Sequence, residues 1–339
     1  MCVTIRDVAR KAGVSIATVS YIINDKKQVT PETKKKVLDT IKELNYLPNY
    51  NARGLAKQKT NLIGILIPYW NTDQQTGIMF DNPFYSELVR GIERVTSKNN
   101  YHLLLVGSNQ KPEIIHNLIV QRYLDGLIVI GAYSELLFYL KKTDLPFILV
   151  DSYLQDDTVY SVGIDDRYGG YIATKYLLES GHRRIGLLTG ELLDNGVYME
   201  RFKGYRRALE EKGLRVDDKN IYETETSFRG GYEGVDKLLD QNNSLTGIFS
   251  TADIISVGVL KKLKEMEVSV PDDLSLISFD DNPFAEFLYP ALTTINQSII
   301  IKGSCAAKLL MDVINNKEID EKKIKLPVKL IKRDSVRRI

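Results

Sequence analysis

The chain has 339 residues, 43% hydrophobic and 27% charged, a length that suggests two or three domains and a composition that excludes a disordered or fibrous protein. Its longest apolar runs, such as Leu62–Ile67, reach about a third of the ~20 residues a membrane span needs, and the charged N-terminus leaves no room for an export signal. The overall charge of +2 disfavours a nucleic-acid partner only until it is placed: residues 1–59 hold twelve Lys or Arg against five Asp or Glu, a net +7 that leaves −5 for the other 280. Two cysteines, Cys2 and Cys305, are too few for a disulfide framework or a four-thiolate zinc site, so a cytoplasmic chain with free thiols is expected.

The basic segment reads as helices. Thr4 caps a first helix, with Asp7 at the capping-box position and Ile5, Val8, Ala9 and Ala12 at helical spacing, and Gly13 stops it. Ser15 offers a second cap for residues 16–23, and two short helices joined by a glycine-containing turn make a helix-turn-helix. Thr30-Pro31-Glu32-Thr33 opens a third helix whose apolar face runs Val37, Leu38, Ile41 and Leu44. In the second helix Val19 and the Ile22/Ile23 pair suit the core, leaving Ile16, Ala17, Ser20, Tyr21 and Asn24 nearer the exposed side. There Ile16 and Ala17 suit thymine methyl groups in a major groove, and Tyr21 and Asn24 offer polar contacts. Thr4, Ser15, Thr18, Thr30 and Thr33 carry hydroxyls, or sit at helix ends whose N–H groups hold phosphates, a role compatible with capping. Residues 45–49 break the third helix. YNARGLAK (50–57) then makes at most a conditional helix, shorter than the ~12 residues an isolated one needs.

From Leu62 onward apolar runs alternate with amphipathic stretches. Strands are expected at LIGILIP, HLLLVGS, DGLIVIG and PFILV, with helices near 84–97 and 113–123; a second series sets helices at 168–180, 198–212, 229–240 and 253–266 among RIGLLTG, a strand near 221, TGIFS and LSLISFD. This alternation predicts an α/β body of two doubly wound parallel sheets behind the all-α head. No dinucleotide fingerprint or P-loop sits at a strand end, and the three histidines are scattered, so no cofactor, metal or catalytic centre is expected. Ligands of such sheets bind at the carboxyl ends of strands. Asp151 and Asp280 end two of them, Arg201 opens a helix, Phe84 and Tyr85 follow the first strand, and Thr226 and Phe228 lie close to another strand end. Carboxylates and a guanidinium for hydroxyls, beside aromatic faces, suit a sugar or similar polyol. Asp165, Asp166 and Asp281 read as helix or turn caps.

The segments VTIRDVARKAGVSIATVSYIIN and VTPETKKKVLDTIKELNYLPNYNARGLAKQKT resemble the head and hinge of the lactose-repressor (LacI/GalR) family of bacterial transcription regulators, almost without gaps over the first 60 residues. The resemblance implies a head at 1–48 and a hinge at 49–60, whose Leu55 wedges into the minor groove of a near-palindromic operator with Asn49, Ala52 and Arg53 around it. It makes Ile16, Ala17 and Tyr21 the sequence readers. It implies a two-lobed, periplasmic-binding-protein-like body over 61–339, with an N-lobe at about 61–162 and 292–319 and a C-lobe at about 163–290 and 320–335. Arg201 is then the residue that grips the effector. Residues 106–109 and 292–298 belong, on the same ground, to the N-lobe that forms a homodimer, and the tail lacks the leucine heptads of a tetramer. The implied function is a repressor switched by a small molecule, a sugar being favoured; the alternative is a phosphocarrier protein as the controlling partner, since ARGLA resembles that branch. Two departures stand out. YWNTDQQTGIMFD inserts roughly ten residues after the first strand and carries the only tryptophan, Trp70, either as a cleft-edge loop that stacks on a carbohydrate or as a longer surface turn; and Ala252 stands where many members have an effector-binding Asn, although Asp253 remains.

Overall fold

The computed structural model describes residues 3–23, 29–46, 59–67, 82–107 and 123–339. Asn24, the hinge positions Asn49, Ala52, Arg53 and Leu55, Trp70 and all but the last residue of the helix expected at 113–123 lie outside the described residues. The chain divides into two compact units, Met1–Asn61 and Leu62–Ile339. No described helix is long and apolar enough to cross a membrane.

In the first unit, helices α1 (Ile5–Ala12), α2 (Ile16–Ile23) and α3 (Pro31–Glu43) enclose one small core of Val8, Ala9, Ala12, Val19, Ile22, Val37 and Tyr46. Their ends follow from capping chemistry. The Thr4 backbone N–H donates to Asp7 Oδ2 at 2.9 Å, Gly13 takes the left-handed φ of 64° that ends α1, Ser15 Oγ accepts from the Thr18 N–H at 3.1 Å, and Pro31 opens α3. One core expectation moves: Leu38 is exposed, and Thr40, whose hydroxyl donates to the Lys36 carbonyl, is the buried residue of that turn.

The second unit is built on two six-stranded sheets of like topology. The first takes β1 (Leu62–Ile67), β2 (His102–Gly107), β3 (Gly126–Ile130), β4 (Phe147–Val150), β5 (Ser161–Ile164) and β11 (Lys323–Leu326) in the order β11-β5-β4-β3-β1-β2, all parallel. The second takes β6 (Ile185–Thr189), β7 (Ile221–Glu223), β8 (Gly247–Ser250), β9 (Ser275–Asp280), β10 (Thr293–Asn296) and β12 (Lys329–Ile331) in the order β12-β10-β9-β8-β6-β7, with only β12 antiparallel. Helices cover both faces, so the strands are apolar on both sides. In β1 Ile63, Ile65 and Ile67 pack beneath α4 (Pro83–Thr96) and α10 (Ile299–Ile314), while Leu66 turns to the face covered by α5 (Ser134–Leu140). In the second sheet α6 (Asp166–Glu179) and α7 (Val197–Glu210) cover one face, and α8 (Phe228–Gln241) and α9 (Asp253–Glu265) the other.

Helices α6 and α7 cross backbone to backbone. A Cβ on Gly170 would lie 2.2 Å from the Arg201 carbonyl oxygen, and one on Gly204 2.1 Å from that of Arg167, so glycine at both positions sets how deep Arg201 sits.

Strand pairing shifts the expected lobe boundaries. Residues 163–164 stay in the first sheet as the end of β5; β10, expected in the N-lobe with 292–298, pairs with β9 in the second sheet; and β11, expected in the C-lobe, pairs with β5 in the first. The chain therefore crosses between sheets after β5, between β10 and α10, and between β11 and β12. These strands escaped the sequence reading because β5 and β10 interleave Ser, Gly, Thr or Asn with few apolar residues, and β11 and β12 carry Lys among Ile and Leu, as protected sheet edges do.

Candidate functional site

The carboxyl ends of the two sheets face one cavity of about 550 Å³. Leu66 of β1, Gly131 and Ala132 after β3 and Asp151 after β4 form the wall from the first sheet; Glu191 after β6, Ala252 after β8, Asp280 of β9 and Gln297 after β10 form the opposite wall. Two helix starts complete it. Asn82 caps α4 by accepting from the Phe84 N–H at 3.1 Å, which sets Phe84 and Tyr85 in the first turn with their rings edge to face, and Gly196 precedes α7, whose first turns bring in Tyr198 and Arg201. Asp151 and Asp280 hold φ angles of 51° and 121°, in the region of positive φ that L-residues seldom adopt.

A continuous chain of polar contacts runs behind this wall. Lys302 Nζ, on α10, lies 2.7 Å from both oxygens of Asp151 and also donates to Gln297 Oε1. Gln297 Nε2 donates to Asp280 Oδ1, which lies 3.7 Å from Arg201 Nη1. Arg201 Nε donates to Asp166 Oδ1 at 2.8 Å, its Nη1 donates to the Thr251 carbonyl at 2.6 Å, and the Phe279 ring lies 3.6 Å beneath the guanidinium. The Tyr153 hydroxyl closes the chain by donating to Asp166 Oδ2 at 2.7 Å. Gln297 and Asp166 sit at two of the three crossings between sheets, so the network spans both lobes.

Burial sets the protonation of this network. It raises the carboxyl of Asp151 above its ordinary value against the pull of Lys302, and it pushes Asp280 up to about 8 against the pull of Arg201. Burial alone would lower Arg201, but Asp166 and Asp280 outweigh it and hold the guanidinium above its ordinary value. Burial also raises the Tyr198 phenol, whose oxygen accepts a 2.9 Å bond from Thr226.

The ligand therefore meets an alternation of hydrogen-bonding capacity. Asp151 and Asp280 keep acceptor lone pairs, Gln297 keeps one amide N–H, and Arg201 keeps donors not committed to Asp166 or Thr251. A hydroxyl both donates and accepts, so neighbouring hydroxyls match such a wall, while Phe84, Tyr85, Tyr133, Leu154 and Leu193 supply the apolar surface around it.

Of the residues expected at the effector site, Phe84, Tyr85, Asp151, Arg201 and Asp280 line the cavity. Thr226 does not: it stands behind Tyr198 as its hydrogen-bond donor. Phe228 does not either: it opens α8 and is 44% exposed to solvent. Asp165 caps α6 through the Tyr168 N–H as expected, but Asp166, read as a cap, is the partner of Arg201, and Asp281, read likewise, pairs with Arg333 at 2.8 Å. Asp253 is buried behind the wall and accepts from the Asn282 N–H and the Thr294 hydroxyl. The sequence reading missed Gln297, Lys302, Tyr133 and Tyr198. Only Lys302 carried a signal: of the two lysines in the apolar stretch IIIKGSCAAKLLMDVI it is the one at a core position.

On the head, Ile16 and Tyr21 are exposed at 46% and 38%, Ala17 is also exposed, Thr18 and Ser20 are half-buried, and Thr4, Ser15 and Thr30 are at the surface with Thr33 partly covered. The second helix of the helix-turn-helix thus presents a convex face of small and apolar side chains.

The profile of bacterial regulatory proteins of the lacI family matches residues 4–49, and that of a periplasmic binding protein-like domain matches residues 174–336. The HTH-type transcriptional regulator RegA of Clostridium saccharobutylicum is 36% identical over 340 residues, covering 99% of each chain. The chain belongs to the lacI family of bacterial regulatory proteins. As a lacI-family member it is a transcription regulator and not an enzyme. Among solved structures, the complex of the transcriptional regulator CelR with cellobiose superposes with a TM-score of 0.75 at 28% identity, covering 98% of this chain and 99% of that one. A lacI-family regulator from Enterococcus faecium with bound ribose gives 0.72 at 32% identity, covering 82% and 99%.

Proposed function

We propose that this lacI-family regulator binds a near-palindromic DNA operator as a homodimer and that a small neutral polyol, a mono- or disaccharide, sets its operator affinity from the cavity of the body. The observation that carries the ligand class is the alternating acceptor and donor wall of Asp151, Gln297, Asp280 and Arg201 set among aromatic rings. The related structures bound to cellobiose and to ribose support it. On the head, Ile16, Ala17 and Tyr21 are the base readers, with Thr18, Ser20 and Asn24 beside them; Thr4, Ser15, Thr30 and Thr33 are the phosphate contacts; and Leu55, with Asn49, Ala52 and Arg53, is the minor-groove wedge. The net +7 of residues 1–59 supplies the salt-dependent attraction to DNA.

The switch is linkage: a ligand that binds one arrangement of the lobes better than another shifts the population, and operator affinity follows by the same coupling free energy. A tenfold change in operator affinity needs about 1.4 kcal/mol of coupling. The test is fluorescence anisotropy of the full chain on an operator selected from random DNA, titrated with neutral sugars including cellobiose and ribose. A tenfold or larger shift with one of them is expected. A dimer that ignores every sugar and responds only to a phosphocarrier protein refutes the polyol reading in favour of protein control.

A further inference from the structure

Helix α10 carries a lysine where its packing calls for an apolar residue. Ile299, Ala306, Leu309 and Leu310 pack onto the first sheet, and Lys302 sits in register with them at 0% exposure. Three acceptors meet its ammonium, the two oxygens of Asp151 and Oε1 of Gln297, which match the three donors it has. The Phe84 ring, itself part of the cavity lining, lies 5.3 Å from Nζ. Burying an unpartnered ammonium is costly, and the Asp151 carboxylate supplies the counter-charge that offsets it.

We propose that Lys302 is the positioning and specificity residue of the cavity: it neutralises Asp151 and fixes the Gln297 amide with its nitrogen toward Asp280, so that the site takes uncharged vicinal hydroxyls and rejects ligands bearing an ammonium group. The selectivity rests on the polyol reading above. Each Asp151 oxygen bound by Lys302 keeps a lone pair for a ligand hydroxyl, but a ligand ammonium would place a second cation on the same carboxylate and repel the first. The Gln297 amide cannot turn over without facing Lys302 with its own donors and Asp280 with its oxygen. Lys302 therefore carries the polarity of the wall from one sheet to the other without touching the ligand.

The test separates the pairing from the ligand. The charged and titratable groups around Asp151 are Lys302 on α10, Asp166 on α6, Arg201 on α7 and Tyr153, with Asp280 of β9 beyond Gln297. Thermal unfolding of the full chain is followed from pH 5 to 8 without ligand for the wild type, Lys302→Met and Lys302→Met with Asp151→Asn. In Lys302→Met the folded state holds a proton on Asp151 more tightly, so stability is lost as pH rises, and the unfolding constant gains up to a further tenfold per pH unit over the wild type. The double variant, which has no carboxyl at position 151, lacks this added slope. If Lys302→Met does not fold, Asp151→Asn alone tests the same pair with the opposite sign: it leaves a buried cation without a counter-charge, and stability then rises with pH. Profiles parallel to the wild type overturn the proposal whatever the sugars do. The second arm compares glucose with glucosamine as probes: in Lys302→Met the affinity ratio moves at least tenfold toward glucosamine, and an unchanged ratio overturns the selectivity. A wild type that binds no neutral sugar overturns the polyol reading, while the pH profiles still decide whether Lys302 holds Asp151.

Discussion

Replacing Arg201 with Met tests whether this residue is a ligand-gripping side chain free to be removed or a structural cation. Its side chain is 6% exposed and that of its partner Asp166 is 1% exposed, and the guanidinium also binds the Thr251 carbonyl and lies over the Phe279 ring. The substitution keeps the length of the chain but leaves Asp166 with only the Tyr153 hydroxyl as a side-chain donor, and Asp280 with Gln297 and the long contact from the Asp253 N–H. Removing one partner of a buried ion pair costs about 3–5 kcal/mol, because the remaining charge stays desolvated. For a body of this size, at about 2 °C per kcal/mol, the melting temperature falls by about 6–10 °C. Asp280, already pushed up to about 8 by burial, loses the cation that holds it down and rises further, so its part of the loss deepens only as pH approaches and passes 8. Adding Asp166→Asn removes the orphaned charge and restores part of the stability. Differential scanning calorimetry of the three variants at pH 5 and pH 8 gives the answer. A single variant within about 2 °C of the wild type at both pH values would refute the reasoning, since it would mean that Arg201 is solvated and its contacts are incidental. Loss of ligand response in an Arg201 variant is therefore interpretable only beside its stability.

Gly170→Ala places a methyl 2.2 Å from the Arg201 carbonyl oxygen, a backbone atom with nowhere to move, so a loss of about 1–3 kcal/mol by thermal unfolding is expected together with weaker ligand binding. Gly213→Ala is the control, since open space surrounds it and only its φ of 70° resists a side chain; equal losses at the two sites would remove the steric argument. Burial pushes the Asp253 carboxyl up to about 6, so its contribution to stability is complete below pH 4 and is lost as pH rises to 6; Asp253→Asn flattens the melting profile over that window, and superimposable profiles would disprove the assignment. On the head, Ile16→Ser redistributes the bases chosen from a randomised operator pool at fixed salt more than it lowers total affinity, whereas an unchanged preferred sequence with uniformly weaker binding would show that Ile16 does not read bases.

What the sequence made legible was whatever rests on local periodicity and local caps. The runs at 62–67, 126–130, 147–150 and 185–189 became central strands because each is long and apolar enough to be buried on both faces, and Thr4, Ser15, Asp165 and Pro31 mark helix starts through bonds or ring geometry within three residues. What it hid are the places where a local pattern is overruled from far along the chain. Helix α10 starts at Ser298 in a left-handed conformation with no side-chain cap, and its partners across the sheet give its lysine a meaning that the helical repeat alone would call an error. Asp166 and Arg201 are separated by 35 residues, Lys302 and Asp151 by 151, so no spacing rule could join them.

The consequence for the site is chemical. Read one by one, Asp151, Asp280 and Arg201 look like unengaged charges waiting for a ligand, which would favour an ionic effector. In the folded chain Lys302, Gln297 and Asp166 already answer all three, and a ligand ion would have to displace a partner from a buried pair, at several kcal/mol, before gaining anything. The lone pairs and N–H groups that remain are directional and weakly charged. Neutral hydroxyls use them without breaking any existing pair, and for that reason a pairing invisible in the sequence narrows the ligand class more than the three residues that were visible.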